Sequence, residues 1–349
     1  MGDEIRIVLA EDSPTVRRYL AMLIENTPDM RVVGEASNGA EAVQMVATLK
    51  PDVVSMDVNM PKVDGLEATR QIMAETPTPI VVVSGLLDID VQLSLQAIEA
   101  GALAVVGKPP HQHHVNFATA QHELLTTLRA MAGVKVISRR QYRVQEVSSA
   151  IQSTPKVTDT QTALIAIGAS TGGPSALMTL LRDLPATLAV PIVVVQHMPQ
   201  EFIAGLVVWL DSITALDVRL AKHDMRLEAG TVTIALADTH LQITCQGELL
   251  KAQLTEAGNL PSRYVPSVDV LFQSVADTLG KKSMGIILTG MGDDGARGLS
   301  AIRQVGGKTI AQDERSSTVF GMPKAAIARE AVQVIVPVSK LATQITKML

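Results

Sequence analysis

Residues 5–25 read IRIVLAEDSPTVRRYLAMLIE, and this stretch contains the unit that decides the fold of the first half of the chain. The apolar run at 5–10 predicts a short buried strand, and apolar residues recur at helical spacing over 15–25. Glu11 and Asp12 lie between the two, where the strand ends. A strand, a polar turn and an amphipathic helix in this order form the repeating unit of an α/β sheet.

The same unit recurs along the first part of the chain. Further apolar runs that predict strands lie at 31–36, 53–56, 80–83 and 102–106. Stretches with a helical apolar period lie at 40–49, 66–75, 91–100 and about 115–131. Five strand–helix pairs predict an N-terminal, doubly wound, five-stranded parallel sheet of the flavodoxin-like type.

The second part of the chain begins in the same way but does not keep the alternation. Predicted strands lie at 163–167, 191–196 and 284–288, and predicted helices lie at 174–181, at 268–279 and after Asp294. The run at 231–250 is hairpin-like and interrupts the pattern. We therefore expect a C-terminal Rossmann-like α/β domain with a mainly parallel sheet and a β-hairpin.

Charge divides the chain of 349 residues into three parts. Residues 1–131 hold 9 basic and 17 acidic side chains, residues 132–161 hold 5 and 2, and residues 162–349 hold 16 of each. The middle part is rich in Ser, Thr and Gln and has no sustained apolar period, which is typical of a linker. We predict one domain at 1–131, a linker at 132–161 and a second domain at 162–349.

Composition excludes several classes of function. Aromatic residues make up 2% of the chain and its net charge is −5, so we expect no nucleic-acid partner. The single cysteine, Cys245, excludes an internal disulfide framework and a Cys-rich zinc module. No apolar run approaches the roughly 18 residues of a spanning helix, and the N-terminus has acids where a signal peptide needs bases. We expect a cytoplasmic protein without membrane insertion.

Polar side chains follow four of the predicted strands in the first domain. Glu11 and Asp12 follow the first strand, Asp57 the third, Ser84 the fourth and Lys108 the fifth. Because ligands of open α/β sheets bind beyond the carboxyl ends of the strands, we expect these side chains to meet at one edge. Three carboxylates that meet repel each other unless a hard cation such as Mg²⁺ joins them. A carboxylate beside Mg²⁺ and a lysine can attack phosphorus, which predicts phosphoryl transfer to this site.

The run GASTGGP at 168–174 follows the first strand of the second domain and allows two interpretations. One is a phosphate-binding glycine loop, but the spacing differs from G-x-G-x-x-G and the lysine of a P-loop is missing. The other is a nucleophile, because G-x-S-x-G turns the chain sharply and exposes the hydroxyl of Ser170 at a helix N-terminus. We favour the nucleophile, which requires a base.

A histidine and two adjacent acids complete a candidate triad. His197 lies one β–α–β unit beyond Ser170, so both residues follow adjacent parallel strands. Asp293 and Asp294 follow a third strand, in the run TGMGDDG at 289–295, and either carboxylate could fix the imidazole. The order Ser, His, Asp differs from the order Ser, Asp, His of α/β-hydrolases, so we predict a hydrolase of another fold.

The first domain resembles the receiver domain of two-component response regulators, because the Glu11–Asp12 pair, Asp57 and Lys108 stand at the matching strand ends. The resemblance implies that Asp57 is phosphorylated. It also implies that Mg²⁺ is held by Glu11, Asp12 and Asp57 together with the main-chain carbonyl of Asn59.

The same resemblance implies a switch. Ser84 and Lys108 would contact the phosphoryl group and relay its presence. Receivers often carry an aromatic switch residue three positions before the lysine, and Val105 stands there instead. Any signal would therefore travel through Ser84 and the packing of the domains.

Several stretches of the second domain together resemble the protein-glutamate methylesterases of bacterial chemotaxis. They are IGASTGGP at 167–174, QHMP at 196–199, PSVDVLF at 266–272, LTGMGDDGARG at 288–298 and VFGMPKAA at 319–326. The resemblance selects Asp294 as the acid of a triad with Ser170 and His197. It also places Met291 beside the nucleophile and makes main-chain N–H groups near Thr171 or Met291 candidates for the oxyanion hole.

This second resemblance implies a phosphorylation-regulated hydrolase that demethylates glutamate methyl esters, with release of methanol, and deamidates glutamines on chemotaxis receptors. The receptors would be the substrate and a chemotaxis histidine kinase the phosphodonor. The catalytic domain would need no cofactor. We expect the protein to be a monomer.

Two alternatives remain at this point. The second domain could be a non-catalytic adaptor in which Ser170, His197 and Asp294 are structural, or the esterase could serve a chemosensory array outside chemotaxis. A further expectation concerns regulation: the receiver blocks the face that carries Ser170, and phosphorylation of Asp57 loosens that packing.

Overall fold

The structure is a computed structural model that describes residues 4–85, 91–134, 136, 162–247, 249–260 and 262–349. The chain divides into two compact units, Met1–Pro155 and Lys156–Leu349. The predicted linker at 132–161 lies outside the described residues except at 132–134 and 136. Each unit contains one parallel sheet of at least five strands.

The first unit alternates strands and helices as its sequence predicts. Its strands are β1 (Ile5–Ala10), β2 (Met30–Ala36), β3 (Val53–Met56), β4 (Ile80–Ser84) and β5 (Ala104–Gly107). Its helices are α1 (Pro14–Glu25), α2 (Gly39–Leu49), α3 (Gly65–Glu75), α4 (Val91–Ala100) and α5 (Phe117–Ala132). The strands pair in parallel in the order β2-β1-β3-β4-β5, which confirms the doubly wound, flavodoxin-like sheet.

Burial on both faces of the sheet explains why these strands read as continuous apolar runs. In β1, Val8 and Ala10 pack in one cluster with residues of α2 and α3, whereas Ile7 and Leu9 are buried on the opposite face. The first three helices begin at side chains that accept a hydrogen bond from the first turn, namely Ser13, Asn38 and Asp64. Two of these caps, Ser13 and Asp64, fix where the loops that carry the acidic residues end.

The second unit contains ten strands and six α-helices among the described residues. Its strands are β6 (Leu164–Ala169), β7 (Ile192–Gln196), β8 (Asp217–Leu220), β9 (Met225–Arg226), β10 (Thr231–Ile234), β11 (Thr239–Gln246), β12 (Leu249–Glu256), β13 (Ser283–Ile287), β14 (Lys308–Gln312) and β15 (Val334–Val336). Its helices are α6 (Gly173–Arg182), α7 (Gln200–Ile213), α8 (Val268–Leu279), α9 (Ala296–Gln304), α10 (Met322–Ala328) and α11 (Leu341–Met348).

Seven of these strands form a parallel sheet in the order β15-β14-β13-β6-β7-β10-β8. The chain starts in the middle at β6, builds towards β8, and then returns to the other side of β6 with β13. The strand order therefore reverses between β6 and β13, and ligands of open α/β sheets bind outside the carboxyl ends of the strands at such a point. The predicted Rossmann-like, mainly parallel sheet is confirmed.

The predicted hairpin at 231–250 is wrong in its extent. The hairpin is formed by β11 and β12, whose ends pair Thr239 with Glu256 and Gln246 with Leu249. β10 is buried at every residue and pairs in parallel with β7 and β8. The sequence pattern does not separate β10 from the hairpin strands, because a short apolar strand has the same pattern in a hairpin and in a buried parallel sheet.

The core of the second unit is built mainly from aliphatic side chains, in keeping with the few aromatic residues of the chain. Phe272 of α8 is fully buried in this core together with Leu271 and Val275. The helix α8 contacts the hairpin strand β11 and also β6 and β13 of the main sheet. Among the described residues, none of the helices combines the length and the apolar character needed to cross a membrane.

Candidate functional sites

The carboxyl ends of β6, β7 and β13 bring the predicted triad residues to one edge of the sheet. Ala169 and Gln196 are register partners, so Ser170 and His197 directly follow paired positions. The His197 N–H donates to the Ala169 carbonyl at 2.9 Å. The Ser170 N–H donates to the carbonyl of Thr289, which follows β13, at 3.0 Å.

The turn at Ser170 is held tightly from several sides. Its carbonyl accepts hydrogen bonds from the Gly173 N–H at 2.7 Å and from the Gln196 side chain at 2.9 Å. A Cβ on Gly290 would lie 2.7 Å from the Ser170 Cβ, so only glycine fits beside the serine. Ser170 itself is half-buried, and α6 begins at Gly173. A hydroxyl is thus placed at the N-terminal end of a helix.

Asp294 is the acid that contacts His197. Its Oδ2 lies 2.9 Å from His197 Nε2, and its side chain is 2% exposed. Asp293 is exposed, and its carbonyl accepts the Ala296 N–H where α9 begins. Residue chemistry alone made Asp293 and Asp294 equivalent. The turn before α9 directs Asp294 to the imidazole and leaves Asp293 exposed.

The N-terminus of α8 surrounds the Asp294 carboxylate with donors. Oδ1 accepts the Ser267 hydroxyl at 2.9 Å and the Asp269 N–H at 3.0 Å, and Oδ2 accepts the Val268 N–H at 2.7 Å. Burial alone would raise the pKa of Asp294, but the bonds from His197 and from these N–H groups outweigh it and hold the pKa below its usual value. The carboxylate stays ionised beside the imidazole.

The two residues predicted as oxyanion support flank the serine turn. Thr171 is half-buried, and its carbonyl accepts the Thr289 hydroxyl at 3.0 Å. Met291 is 46% exposed between Gly290 and Gly292. In the portions of the chain that the structure describes, the backbone N–H groups of Thr171 and Met291 have no hydrogen-bond partner. Both N–H groups therefore stay candidates for the oxyanion hole.

Two residues near the imidazole were not singled out from the sequence. Ser267 caps α8 and bonds to Asp294, and it lies in the quoted PSVDVLF stretch, whose serine before an apolar helix was a usable signal. Tyr264 stacks on His197 with 5.2 Å between the ring centroids. It lies in a polar segment without periodicity, so nothing in the sequence pointed to it.

The acidic residues of the first unit also meet at a strand edge, beside the reversal of strand order between β1 and β3. Glu11, Asp12 and Asp57 each offer a carboxylate oxygen, and these atoms lie within 4.8 Å of one another. The Lys108 Nζ lies 2.7 Å from Glu11 Oε2 and 3.1 Å from Asp57 Oδ2. The side chains predicted from separate strand ends are thus brought together.

The electrostatics of this cluster favour a bound cation. Burial raises the pKa values of both Glu11 and Asp57, although the ammonium of Lys108 acts against each shift. Burial also opposes the charge of Lys108, but the bond to Glu11 and the charge of Asp57 outweigh it and raise its pKa. Two buried carboxyl groups whose ionisation is opposed by burial, together with the exposed carboxylate of Asp12, are an oxygen donor set that suits Mg²⁺.

The remaining predicted residues of the first unit lie around this cluster. Ser84 is the buried last residue of β4, and its carbonyl accepts the Lys108 N–H at 2.7 Å. Asn59 is exposed in the loop after β3, and the role of its carbonyl stays a prediction. Val105 lies within β5 and packs against the core cluster that includes Val82.

Comparison with known proteins gives matches in both halves of the chain. Residues 165–345 match the family described as CheB methylesterase, and residues 7–118 match the family described as Response regulator receiver domain. The protein-glutamate methylesterase/protein-glutamine glutaminase 4 of Myxococcus xanthus (strain DK1622) is 42% identical over 348 residues, which are 99% of this chain and 97% of that protein.

Two further relatives agree with these matches. The protein-glutamate methylesterase/protein-glutamine glutaminase 1 of Syntrophus aciditrophicus (strain SB) is 39% identical over 349 residues, 99% of this chain and 98% of that protein. The crystal structure of the Thermotoga maritima CheB methylesterase catalytic domain is 34% identical, covers 54% of this chain and 100% of that chain, and has a TM-score of 0.52.

The fold and the two sites define a response regulator with a receiver sheet and its acidic cluster. Its output domain is a hydrolase of Rossmann-like fold in which Ser170, His197 and Asp294 follow neighbouring strands. The two family matches, at 7–118 and 165–345, and the Myxococcus xanthus relative that matches nearly the whole chain agree with this class. The chain belongs to the CheB methylesterase family. The family resemblance predicted from the sequence motifs is therefore confirmed.

Proposed function

We propose that this chain hydrolyses γ-methyl esters of glutamate residues on chemotaxis receptors, with Ser170 as nucleophile, His197 as base and Asp294 as the orienting acid. The observation that carries the proposal is the 2.9 Å hydrogen bond between His197 Nε2 and Asp294 Oδ2 at the strand edge beside Ser170. The names of the relatives, protein-glutamate methylesterase and protein-glutamine glutaminase, supply the substrate class.

The ring nitrogens of His197 have separate tasks in this mechanism. Because Nε2 faces the Asp294 carboxylate, Nδ1 is the nitrogen that remains to accept the Ser170 proton. The serine oxygen then attacks the ester carbonyl, and the free N–H groups of Thr171 and Met291 stabilise the oxyanion.

Collapse of the tetrahedral intermediate breaks the bond to the methoxy group, which takes the proton from His197 and leaves as methanol. Water then attacks the acyl-enzyme, with His197 again as base, and restores Ser170. The same steps on a glutamine side chain release ammonia, which accounts for deamidation at the same site.

We propose that the receiver controls this chemistry through phosphorylation of Asp57 by a chemotaxis histidine kinase, with both proteins in the cytoplasm. Glu11, Asp12, Asp57 and the carbonyl of Asn59 would hold Mg²⁺, which neutralises charge on the phosphoryl oxygens when bound. Lys108 already spans two of the carboxylates and can contact the phosphoryl group. Phosphorylation then relieves a block of the face that carries Ser170.

Methanol release from methylated receptor tests the catalytic proposal. Ser170→Ala is expected to reduce it by about 10⁴-fold or more, because nucleophile and base act as a unit. Ser212→Ala is the matched control, since Ser212 is exposed in α7 and its hydroxyl donates to the Trp209 carbonyl of the same helix. Methanol release that survives Ser170→Ala would contradict the proposal.

The adaptor alternative differs from this proposal in the reactivity of Ser170. A serine-directed phosphonate or sulfonyl fluoride is expected to label Ser170 in the wild type and not in His197→Gln, because the base activates the hydroxyl. Equal labelling of both proteins, or none, would favour the adaptor. The block by the receiver has its own test: activity must rise when residues 1–131 are removed.

A further inference from the structure

The ring of Tyr264 lies parallel to the ring of His197, with 5.2 Å between the centroids and 7° between the planes. Tyr264 is half-buried in the segment that leads into α8. We propose that Tyr264 is a positioning residue of the active site, which fixes the plane of the imidazole and stabilises the protonated ring formed when His197 accepts the Ser170 proton. This inference rests on the proposed role of His197 as the base.

Stacking supplies a restraint that the hydrogen bond to Asp294 lacks. A bond at Nε2 alone leaves the imidazole free to turn about the direction of that bond. A parallel aromatic ring opposes this turn, because rotation would drive the edge of the imidazole into the face of Tyr264. Holding Nδ1 towards Ser170 increases the fraction of time in which proton transfer can occur.

The backbone beside Tyr264 is shaped to admit its ring. Gly292 has a φ of +89°, and a Cβ at this position would lie 2.7 Å from the Tyr264 hydroxyl oxygen. A side chain at 292 would displace the ring as well as strain the backbone. The turn that presents Met291 therefore also makes room for the stacked pair.

Charges around the imidazole act in opposite directions. The Asp294 carboxylate favours the protonated ring, and so does the electron-rich face of Tyr264. The Arg263 guanidinium lies 5.6 Å from the centroid of the tyrosine ring and competes for the same π-system. Asp293 is exposed to solvent, and burial lowers the pKa of His240, whose Nδ1 accepts the Ser267 N–H. Tyr264 is thus the aromatic contribution to the stability of the imidazolium.

Kinetics on methylated receptor test the proposal through three measurements on full-length protein. Tyr264→Leu is expected to lower kcat about tenfold and to leave KM within about twofold, because the loss falls on proton transfer. The acid limb of its pH profile is expected to move about half a unit to lower pH, since a less stable imidazolium leaves the base neutral further into acid. Tyr264→Phe is expected to keep the wild-type kcat and the wild-type position of the acid limb, because the ring and not the hydroxyl is required.

Controls separate this inference from folding and from the proposed function. Val265→Ala changes a 37% exposed neighbour in the same segment and is expected to keep wild-type kinetics. Fluorescence of Trp209 reports whether each variant folds, and Tyr264→Gln replaces Tyr264→Leu if that variant does not. Ser170→Ala is measured in parallel. If this variant stays active, the proposed role of Ser170 is contradicted, and the role of Tyr264 falls with it.

With Ser170→Ala inactive, three results would overturn the role of Tyr264 alone. They are wild-type kinetics in Tyr264→Leu, a lower kcat without a shift of the acid limb, and failure of Tyr264→Phe to restore activity. A lower kcat without a shift of the acid limb would mean that the ring only supports the fold. Failure of Tyr264→Phe to keep activity would mean that the hydroxyl is the required group.

Discussion

At the scale of single residues, Asp294 illustrates how surroundings decide between identical side chains. Asp293 and Asp294 are adjacent in the chain, yet one is exposed and the other is enclosed by a hydroxyl, two N–H groups and an imidazole. These donors offset the free energy that is needed to bury a charge, which would otherwise favour the neutral form of the carboxyl group. The pair of acids was visible in the sequence, but the enclosure was not.

The lowered pKa of Asp294 predicts a pH dependence of stability. A carboxyl with a lower pKa in the folded state stabilises the fold above its unfolded pKa of about 3.9, and this contribution is lost as the pH falls through the folded value. The free energy of unfolding of Asp294→Asn is therefore expected to fall furthest below that of wild type at neutral pH. The difference shrinks below about pH 4.

Trp209, the only tryptophan, lies in α7 and makes the unfolding of the second unit measurable in the full chain. Denaturant titrations of wild type and Asp294→Asn between pH 7 and pH 3 give the difference directly. Asp293→Asn removes the same charge from the exposed neighbour and is expected to change stability by less than about 0.5 kcal/mol. A difference for Asp294→Asn that stays constant with pH would refute this account.

At the scale of elements, α8 connects stability to the site. Its N-cap, Ser267, accepts the Val270 N–H and donates its hydroxyl proton to Asp294. One hydroxyl therefore caps the first turn of α8 and holds the Asp294 carboxylate in place. The start of α8 and the geometry of the triad are set together. The boundaries of α8 were predicted from apolar periodicity, but its contact with Asp294 joins residues far apart in the chain.

Ser267→Ala is expected to affect stability and rate together. Loss of the cap should lower the free energy of unfolding by about 1 kcal/mol. The rate should fall about tenfold, equivalent to about 1.4 kcal/mol, because Asp294 keeps its two backbone donors but loses one restraint. Unfolding followed by Trp209 and methanol release measure the two effects, with Ser212→Ala as control. Unchanged methanol release would show that the hydroxyl does not orient Asp294.

Prediction of elements failed where the same local pattern fits two environments. The run that forms β10 was assigned to the hairpin, although it pairs with β7 and β8. Short apolar strands do not specify their partners, since pairing is decided by which strands the rest of the chain brings alongside. Longer helices such as α8, with several apolar turns, were predicted over the observed bounds.

At the scale of the whole molecule, the net charge of −5 conceals an acidic first domain and a neutral second domain. Three of the carboxylates of the first domain meet in the acidic cluster of Glu11, Asp12 and Asp57, which accounts for part of this asymmetry. A switch and an enzyme are thus combined in one chain, and each has its own sheet, its own reversal of strand order and its own polar site.

Regulation is expected to depend on Asp57 and on a divalent cation. A small phosphodonor such as acetyl phosphate should stimulate methanol release from methylated receptor by the wild type. Asp57→Asn should abolish the stimulation and keep the basal rate, because the acceptor carboxylate is lost while the catalytic unit is unchanged. Chelation of Mg²⁺ should have the same effect on the wild type.

The control for this experiment is Glu75→Gln, which removes an exposed acid at the end of α3. It should keep the full stimulation. Stimulation that persists in Asp57→Asn, or after chelation, would exclude phosphorylation of this cluster as the switch.

The sequence by itself determined the two α/β domains, their family and the residue types of both sites, because apolar periodicity and strand-end motifs are local properties of the chain. Spacing alone left Asp293 and Asp294 equivalent, the motif resemblance selected Asp294, and the tertiary structure shows its contact with His197. Tertiary structure alone decided that Ser267 holds this carboxylate and that β10 leaves the hairpin. It also decided that Tyr264 covers the imidazole. These features depend on which distant segments meet, and that is set by packing of the whole domain.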